Sequence, residues 1–451
     1  MSENKKVFKG AFFLGVGAFV SKVLGALYRV PLTNLLGGFG LGLYQIVFPV
    51  YALLLDFSGS GVPSAVSSLI ARGEDKENRA NEYLSASIKL LSVLGVIGSL
   101  FMFFFAKPIA RMQGNIDAYK AYLYLSPAVF AVSIISAFRG YFQGLMNMSP
   151  TAISQVIEQA AKLLFGIALV KYFLPDIPKA VAGATLALTI SEFIALLYLF
   201  SVYLVRKKRL NATFAGNFKP FTPLAKSIIK TTVPVTLTGI IIPLSHVIDS
   251  FLVVNLLGVY RQDATALYGI LSGVCMTVIN LPVSICYGVA TVAIPSVSAA
   301  KTENEKLSRA KNTLYITLAL SLPCAAFCFF FSPFIINLLF KGLSAVEKGI
   351  AVSLLRLVSP CIILLSILQT ANAVLIGKGK PYKPVISLTI GVALKTLINI
   401  LLLTNPKINI YGGGVALIAC YFVTCLINLI MIFGLKVKNA NTRACRRGYA
   451  N

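Results

Sequence analysis

The chain is poor in the residues and motifs on which most enzymes depend. Its 451 residues include one histidine and 15 acidic residues, against 41 lysines and arginines. No segment matches the phosphate-binding loop G-x-x-x-x-G-K-[ST], the nucleophile motif G-x-S-x-G or the zinc motif H-E-x-x-H. The eight cysteines are scattered and lack histidine or carboxylate neighbours that would complete a metal set. These absences argue against an enzyme, a metal site and a bound cofactor.

Long apolar runs dominate the rest of the sequence. Hydrophobic residues make up 57% of the chain, and the mean hydropathy is +0.82. The runs are long enough to cross a hydrocarbon layer about 30 Å thick, and they do not alternate as barrel strands do. The sequence predicts an all-α polytopic membrane protein of about 12 transmembrane helices. The predicted spans cover residues 10–33, 42–70, 84–106, 120–144, 151–174, 180–205, 228–257, 266–299, 313–332, 350–376, 384–404 and 411–435.

An internal repeat divides the chain in two. The segment 126–165, which we interpret as two apolar helices joined by a turn at 144–150, returns 233 residues later. The matched pairs are Ser126 and Ser359, Pro127 and Pro360, Gly144 and Gly377, Ser154 and Ser387, and Lys162 and Lys395. Parallel repeats of this kind are typical of transporters. We expect two pseudo-symmetric six-helix lobes around a central cavity, with boundaries at 1–210 and 228–440.

Charge outside the spans predicts the orientation in the cell membrane. The loops on one side carry most of the basic residues, including the run 206–209. By the positive-inside rule this side is cytoplasmic, and it holds both termini. The segment 211–227 then forms a cytoplasmic linker, and 441–451 forms a basic cytoplasmic tail. The net charge of +26 is largely this signal, so no nucleic acid partner is expected. We expect the chain to be a monomer.

Two spans contain paired helix-breaking residues. Span 2 holds Pro49, Gly59, Gly61 and Pro63, and span 8 holds Pro282, Gly288 and Pro295. Proline removes a backbone donor and kinks a helix, which hydrocarbon tolerates only where the freed groups face protein or water. This pairing favours hinges beside a cavity in both spans.

Ionisable side chains within the spans are the candidate functional residues, because a charge near the bilayer centre is costly. Cations outnumber anions there, and lysine and arginine are the residues that hold phosphate oxygens. Lys22 and Arg29 lie seven residues apart on one helix face without a local acid, so they are the leading pair. The candidate substrate-binding residues are Lys22, Arg29, Arg139, Lys162, Arg356 and Lys395. The candidates for coupling to a proton or monovalent cation are Asp56, Glu158, His246 and Asp249.

Structural explanations compete with several of these assignments. Glu158 and Lys162 have the i,i+4 spacing of a helical ion pair. Arg139 could pair with Asp56, and it precedes a Gly140-xxx-Gly144 pair that permits close helix approach. The i,i+3 spacing of His246 and Asp249 also suits a simple ion pair.

The segment around Arg139 resembles a known family. Phe138-Arg139-Gly140-Tyr141-Phe142-Gln143-Gly144, followed by Met148-Ser149-Pro150-Thr151-Ala152, Ser154-Gln155 and Glu158-Gln159, is similar to the signature of the stage V sporulation protein B family. Ser21-Lys22-Val23-Leu24-Gly25 resembles the basic start of span 1 in the related lipid II flippases. The wider superfamily includes multidrug and toxin exporters.

The resemblance implies two six-helix lobes about a central cavity and export of undecaprenyl-pyrophosphate-linked saccharide. The cargo would be the peptidoglycan precursor lipid II or a polysaccharide repeat unit. In the lipid II flippases basic residues in the cavity meet the pyrophosphate, which would be the role of Lys22 and Arg29 here. The expected partners are this lipid-linked saccharide and membrane lipids. A cation-coupled multidrug exporter of the same fold and a membrane glycosyltransferase are the alternatives.

Overall fold

The computed structural model describes residues 3–71, 76–209 and 221–434. The predicted tail 441–451 and most of the predicted linker 211–227 lie outside these residues. The regular secondary structure in the described part of the chain is helical. This confirms the predicted all-α class. Every backbone donor and acceptor must be satisfied within a span, and a helix does so locally.

The helices group into two compact units, Met1–Gly258 with Gln262–Gly269, and Val259–Arg261 with Ile270–Asn451. The first unit contains α1 (Glu3–Leu55), α2 (Val62–Ala71), α3 (Lys76–Phe104), α4 (Ala106–Met112), α5 (Tyr119–Gly144), α6 (Ser149–Phe173), α7 (Ile177–Arg209), α8 (Phe221–Gly239), α9 (Ile241–Gly258) and α10 (Ala264–Tyr268). The second contains α11 (Met276–Ser298), α12 (Glu303–Phe330), α13 (Ser332–Leu339), α14 (Ala345–Val358), α15 (Cys361–Gly377), α16 (Tyr382–Leu403) and α17 (Tyr411–Phe433). The lobe boundaries expected from the repeat stay a prediction.

Within the described residues, ten helices are long and apolar enough to cross a membrane, or eleven if the bent pair α14 and α15 is one span. The chain is a multi-pass membrane protein, and about twelve spans remain consistent with this count. Predicted span 1 lies within α1, and predicted span 2 begins in α1 and ends in α2. The two spans are separated by a break at Gly37 (φ 65°, ψ −173°), a backbone conformation that glycine adopts without steric cost.

The two spans predicted to be irregular each contain a π-helical segment. Asp56–Ser60 lies between α1 and α2, and Gly269–Cys275 lies between α10 and α11. Such widened turns recur at functional sites, because they leave backbone groups without their usual partners. In span 2 this segment contains Gly59, one of the predicted helix-breaking residues. In span 8 it precedes Pro282, Gly288 and Pro295, which lie within the α-helix α11, so hinges at those residues stay a prediction.

The repeated hairpin has the same turn in both copies. α5 and α6 are joined by four residues, 145–148, and α15 and α16 by the equivalent residues 378–381. A residue with positive φ lies at the matched position, Met146 (φ 58°) and Gly379 (φ 74°). The matched backbone hydrogen bonds are Met146 N to Gln143 O (3.0 Å), Asn147 N to Phe142 O (2.9 Å), Gly379 N to Ile376 O (2.8 Å) and Lys380 N to Leu375 O (3.0 Å). The sequence repeat is therefore a structural repeat at this hairpin.

Glycines set the close approach of α5 to α2, as predicted for the Gly140-xxx-Gly144 pair. A Cβ atom at Gly140 would lie 2.9 Å from Val66, and one at Gly144 would lie 2.8 Å from Ile70. Phe138 packs into the same buried layer. This tight contact fixes the position of α5, and with it the position of Arg139.

Candidate functional site: a buried charged cluster in the first unit

Four helices of the first unit bring five ionisable side chains together. α1 supplies Arg29, α5 supplies Arg139, α6 supplies Glu158 and Lys162, and α7 supplies Glu192. We call these five residues the charged cluster. Four of them were predicted site residues, and they come from segments far apart in the sequence.

An ion pair links α5 to α6 at the centre of the charged cluster. Arg139 Nη2 lies 3.0 Å from Glu158 Oε2, and both side chains are only 17% exposed. Arg139 Nε also donates a hydrogen bond to Ser154 Oγ (3.3 Å), and Gln159 Nε2 donates to Glu158 Oε1 (2.9 Å). The pair that forms is Arg139 with Glu158, which was not among the predicted pairings. The predicted alternatives were Arg139 with Asp56 and Glu158 with Lys162.

Lys162 lies one helical turn beyond Glu158 and contacts an aromatic face. Its Nζ is 5.7 Å from the centre of the Tyr28 ring, within the range of a cation–π interaction. Tyr28 is buried and packs against Gly166, where a Cβ atom would come within 2.5 Å of the ring. The contact therefore depends on the glycine, because any larger residue would displace the tyrosine.

Glu192 is the member of the charged cluster to which the sequence analysis assigned no role. It is 7% exposed, and it interacts electrostatically with Glu158, Arg139 and Lys162. An acid within a span is by default a candidate functional residue, so the signal was present in the sequence. What the sequence lacked was any indication that α7 turns this residue towards α6.

Several polar atoms beside the charged cluster have no hydrogen-bond partner among the described residues. They are buried and come from two helices, α1 and α6: Tyr28 Oη, Tyr51 Oη, Thr151 Oγ1 and Gln155 Oε1. Buried polar groups are normally satisfied by protein or water. The region can therefore accept hydrogen bonds from, and donate them to, a bound group or water.

The remaining predicted residues of the first unit lie elsewhere. The side chain of Lys22 is outside the described part of the structure. Asp56 begins the π-helical segment after α1 and lies beside Gly239, whose Cβ would be 3.6 Å from Oδ2. His246 and Asp249 share α9, with Nδ1 and Oδ2 3.9 Å apart; the histidine is exposed and the aspartate buried.

The second unit holds the two other predicted cations. Arg356 is exposed in the last turn of α14, whereas Lys395 is buried within α16 at 3% exposure. At the positions equivalent to Arg139 and Glu158 this unit has Asn372 and Gly391. No group of three or more potential metal ligands occurs among the residues that the structure describes.

Neutral residues occupy the positions of the second unit that match Arg139 and Glu158. Ser387 Oγ donates to Asn428 Oδ1 (2.6 Å), and Asn428 Nδ2 donates to Asn372 Oδ1 (2.7 Å). Gly391 has no room for a side chain, because its Cβ would lie 2.1 Å from Thr424 Oγ1. Both matched sites keep a lysine, Lys162 in the first and Lys395 in the second. The first site adds an arginine and an acid, while the second adds an amide and hydroxyl network.

Curated relatives resemble the chain along most of its length. Stage V sporulation protein B of Bacillus subtilis (strain 168) is 28% identical over 93% of this chain and 82% of its own length. The lipid II flippase MurJ of the same organism is 27% identical over 95% of this chain and 83% of its own length. The expected resemblance is therefore confirmed at the level of whole chains.

Solved structures share the fold. An inward-facing multidrug resistance MATE family transporter of the MOP superfamily superposes with a TM-score of 0.76, covering 92% of this chain and 95% of that one at 17% identity. A profile of the MatE family matches residues 234–401. A profile of the polysaccharide biosynthesis protein family matches residues 7–301, which is most of the chain. The chain therefore belongs to the polysaccharide biosynthesis protein family.

Proposed function

We propose that the chain is a flippase that translocates a polyprenyl-pyrophosphate-linked saccharide across the cell membrane. The cargo is a peptidoglycan precursor or a polysaccharide repeat unit. The names of two relatives support this proposal, since one is a lipid II flippase and the other a sporulation protein. The proposal includes cytoplasmic termini and a monomeric chain with two six-helix lobes about a central cavity.

The environment of Lys162 is the observation that carries the proposal. Among the described side chains its contact is the Tyr28 ring, and its ammonium group has no carboxylate within ion-pair distance. Glu158, the acid one turn away, is held by Arg139. A pyrophosphate crossing the membrane loses its hydration, and charge-assisted hydrogen bonds from lysine or arginine replace it. Lys162 can make such bonds. Glu158, Glu192 and Arg29 all lie within electrostatic range of it.

The proposed transport cycle is alternating access by rocking of the lobes, without ATP hydrolysis. Glu158, Glu192 and Asp249 are the acids best placed to carry a coupled proton or monovalent cation, because each lies within a candidate span. The membrane potential can also contribute, since moving one charge through 100 mV is worth about 2.3 kcal/mol. No bound cofactor is required.

The test is replacement of an essential lipid II flippase by this chain, in the parent form and as Lys162→Ala. We expect the parent to support growth and Lys162→Ala to fail at equal abundance in the membrane. Lys171→Ala is the matched control, because Lys171 lies on the same helix and is exposed. We expect this control to support growth as the parent does.

A multidrug exporter is the second candidate, favoured by the MatE match over residues 234–401 and by the buried Glu192. A cationic drug would gain from an acid that can release its proton. If the parent never replaces the flippase but lowers the drug sensitivity of cells, the exporter is the correct function. If Lys162→Ala replaces the flippase fully, the cationic site is assigned to the wrong residue.

A further inference from the structure

A set of contacts within the first unit joins the segment after α4 to α9 and α10. Ser250 Oγ donates to Gln113 Oε1 (2.8 Å) at a buried position. Asn255 Nδ2 donates to the backbone oxygen of Met112 (2.9 Å). Asn115 Nδ2 donates to Thr265 Oγ1 (3.0 Å). The residues joined are 137, 143 and 150 positions apart in the chain.

Glycines bring α1 against the same region. A Cβ atom at Gly42 would lie 1.9 Å from the backbone oxygen of Thr265. One at Gly269 would lie 2.5 Å from the backbone oxygen of Gly38 and from the backbone nitrogen of Gly42. The two backbones therefore touch without intervening side chains. Close packing of this kind tolerates little relative movement, because protein interiors are not continuously deformable.

The position of these contacts in the predicted topology gives them a role. Residues 112–115 and 38–42 belong to the predicted first lobe, and residues 250–269 belong to the predicted second lobe. With cytoplasmic termini, all of these segments lie at the outer ends of their spans. We propose that Gln113, Asn115, Ser250, Asn255 and Thr265 form an outer latch, which closes the cavity to the exterior until it is released during transport.

This inference rests on the proposed function, because the latch matters only if the lobes separate. Opening towards the outside must pull 112–115 away from 250–265 and break three hydrogen bonds together. Each such bond contributes roughly a two- to tenfold preference for the closed arrangement. The three bonds, together with the glycine contact, would hold the outward-open arrangement at low population.

Three substitutions release the latch without disturbing the α4–α5 segment. Thr265→Val removes the acceptor of Asn115 and keeps the side-chain shape. Ser250→Ala removes the donor to Gln113, and Asn255→Asp removes the donor to the Met112 carbonyl. Asn115 keeps its own cap, in which Oδ1 accepts from Asp117 N at 3.0 Å. Besides the latch contacts, the substitutions remove two hydrogen bonds within α9, from Ser250 Oγ to the Val247 backbone oxygen and from Asn255 Nδ2 to the Phe251 backbone oxygen.

The measurement is the distance between spin labels at Ile116 and Gly258 in the full-length chain, reconstituted in phospholipid vesicles after replacement of its native cysteines. Both positions are exposed, and Gly258 has no atom within 4 Å of its Cβ direction. We expect one short distance in the parent. In the triple variant Ser250→Ala, Asn255→Asp, Thr265→Val the ratio of long to short distances should rise at least about tenfold.

Thr189→Val is the matched control. It removes a partly buried hydrogen bond from Thr189 Oγ1 to the Tyr124 backbone oxygen (2.6 Å), which joins α7 to α5 within the predicted first lobe. We expect its distance distribution to equal that of the parent. If the triple variant fails to fold, the single variant Thr265→Val, which is nearly isosteric, takes its place in the experiment. We expect it to shift the distances in the same direction by a smaller amount.

Unchanged distances in both the triple variant and Thr265→Val would overturn the latch. This readout needs no substrate, so it separates the latch from the proposed function. A shift in distance without replacement of a lipid II flippase leaves the latch standing and removes the substrate assignment. A second variant carries Asn115→Cys and Thr265→Cys, and a short thiol reagent links the two cysteines covalently. We expect no long distance between the spin labels in this linked protein. A long distance in the linked protein would also contradict the latch.

Discussion

The repeated hairpin occurs twice in the chain, with one turn geometry and two different interiors. In the first copy Arg139 and Glu158 form an ion pair between α5 and α6, and Ser154 accepts from the arginine. In the second copy the matched serine, Ser387, joins an amide network with Asn428. Both serines also keep a hydrogen bond to the backbone oxygen three residues before them.

This difference separates what the fold requires from what the site requires. The turn, the serine and the buried lysine are common to both copies, so they belong to the repeated architecture. The arginine and the acid occur in one copy, and the second copy packs well without them. The arginine and the acid are therefore not needed to hold such a hairpin together, which favours a role in transport for them.

The largest expected effect comes from breaking the ion pair of the first copy. Glu158→Ala leaves Arg139 largely buried without its carboxylate, and we expect a loss of about 3 kcal/mol in the free energy of unfolding. Arg139→Asn combined with Glu158→Gln supplies a neutral pair like that of the second copy, and we expect it to recover most of this loss. The measurement is equilibrium unfolding of the purified protein in mixed detergent. If the single and double variants lost the same free energy of unfolding, the expected rescue by a neutral pair would be wrong.

A smaller effect is expected from adding a side chain to the second copy. Gly391→Ala places a Cβ atom 2.1 Å from Thr424 Oγ1 and 2.9 Å from the Cys420 backbone oxygen. Overpacking of this kind costs about 1–3 kcal/mol. Gly349→Ala is the control, because it adds the same atom where nothing lies within 4 Å, and we expect it to be neutral or slightly stabilising. The same unfolding measurement would refute the prediction if the two variants behaved alike.

The smallest expected effect concerns the shared turn. Met146 occupies a positive-φ position that its partner Gly379 occupies without strain. We expect Met146→Gly to stabilise the protein by up to about 1 kcal/mol, because relief of the left-handed strain outweighs the greater freedom of glycine in the unfolded chain. Gly379→Ala should lower the stability by a similar amount. If Met146→Gly lowered the stability, or if Gly379→Ala raised it, the two turns would not be equivalent.

Much of the fold could be predicted because its signals are local. The hydrophobic runs, the turn at 144–150 and the close glycine contact of α5 are all visible in short stretches of sequence. The charged cluster was only partly predictable. Composition identifies Arg139, Glu158 and Lys162 as costly residues within spans, but several pairings were consistent with their spacing.

The partner of Arg139 depends on how α5 and α6 turn towards each other, and the close contact of Gly140 and Gly144 with α2 constrains the position of α5. Glu192 shows the same limit, because its meeting with Glu158 and Lys162 requires α7 to pack on α6. Helix spacing gives the face on which a residue lies, and it does not give the neighbour that this face meets.

By itself the sequence determined that the chain crosses a membrane many times, that it repeats after 233 residues, and that cations and acids lie within the spans. Hydrophobicity, internal similarity and charge are properties of the residues, so they need no coordinates. Only the tertiary structure decided that Arg139 pairs with Glu158, that Lys162 rests on Tyr28, and that residues 112–115 meet residues 250–265. Contacts between residues so far apart are set by helix packing, which glycines and side-chain shapes control.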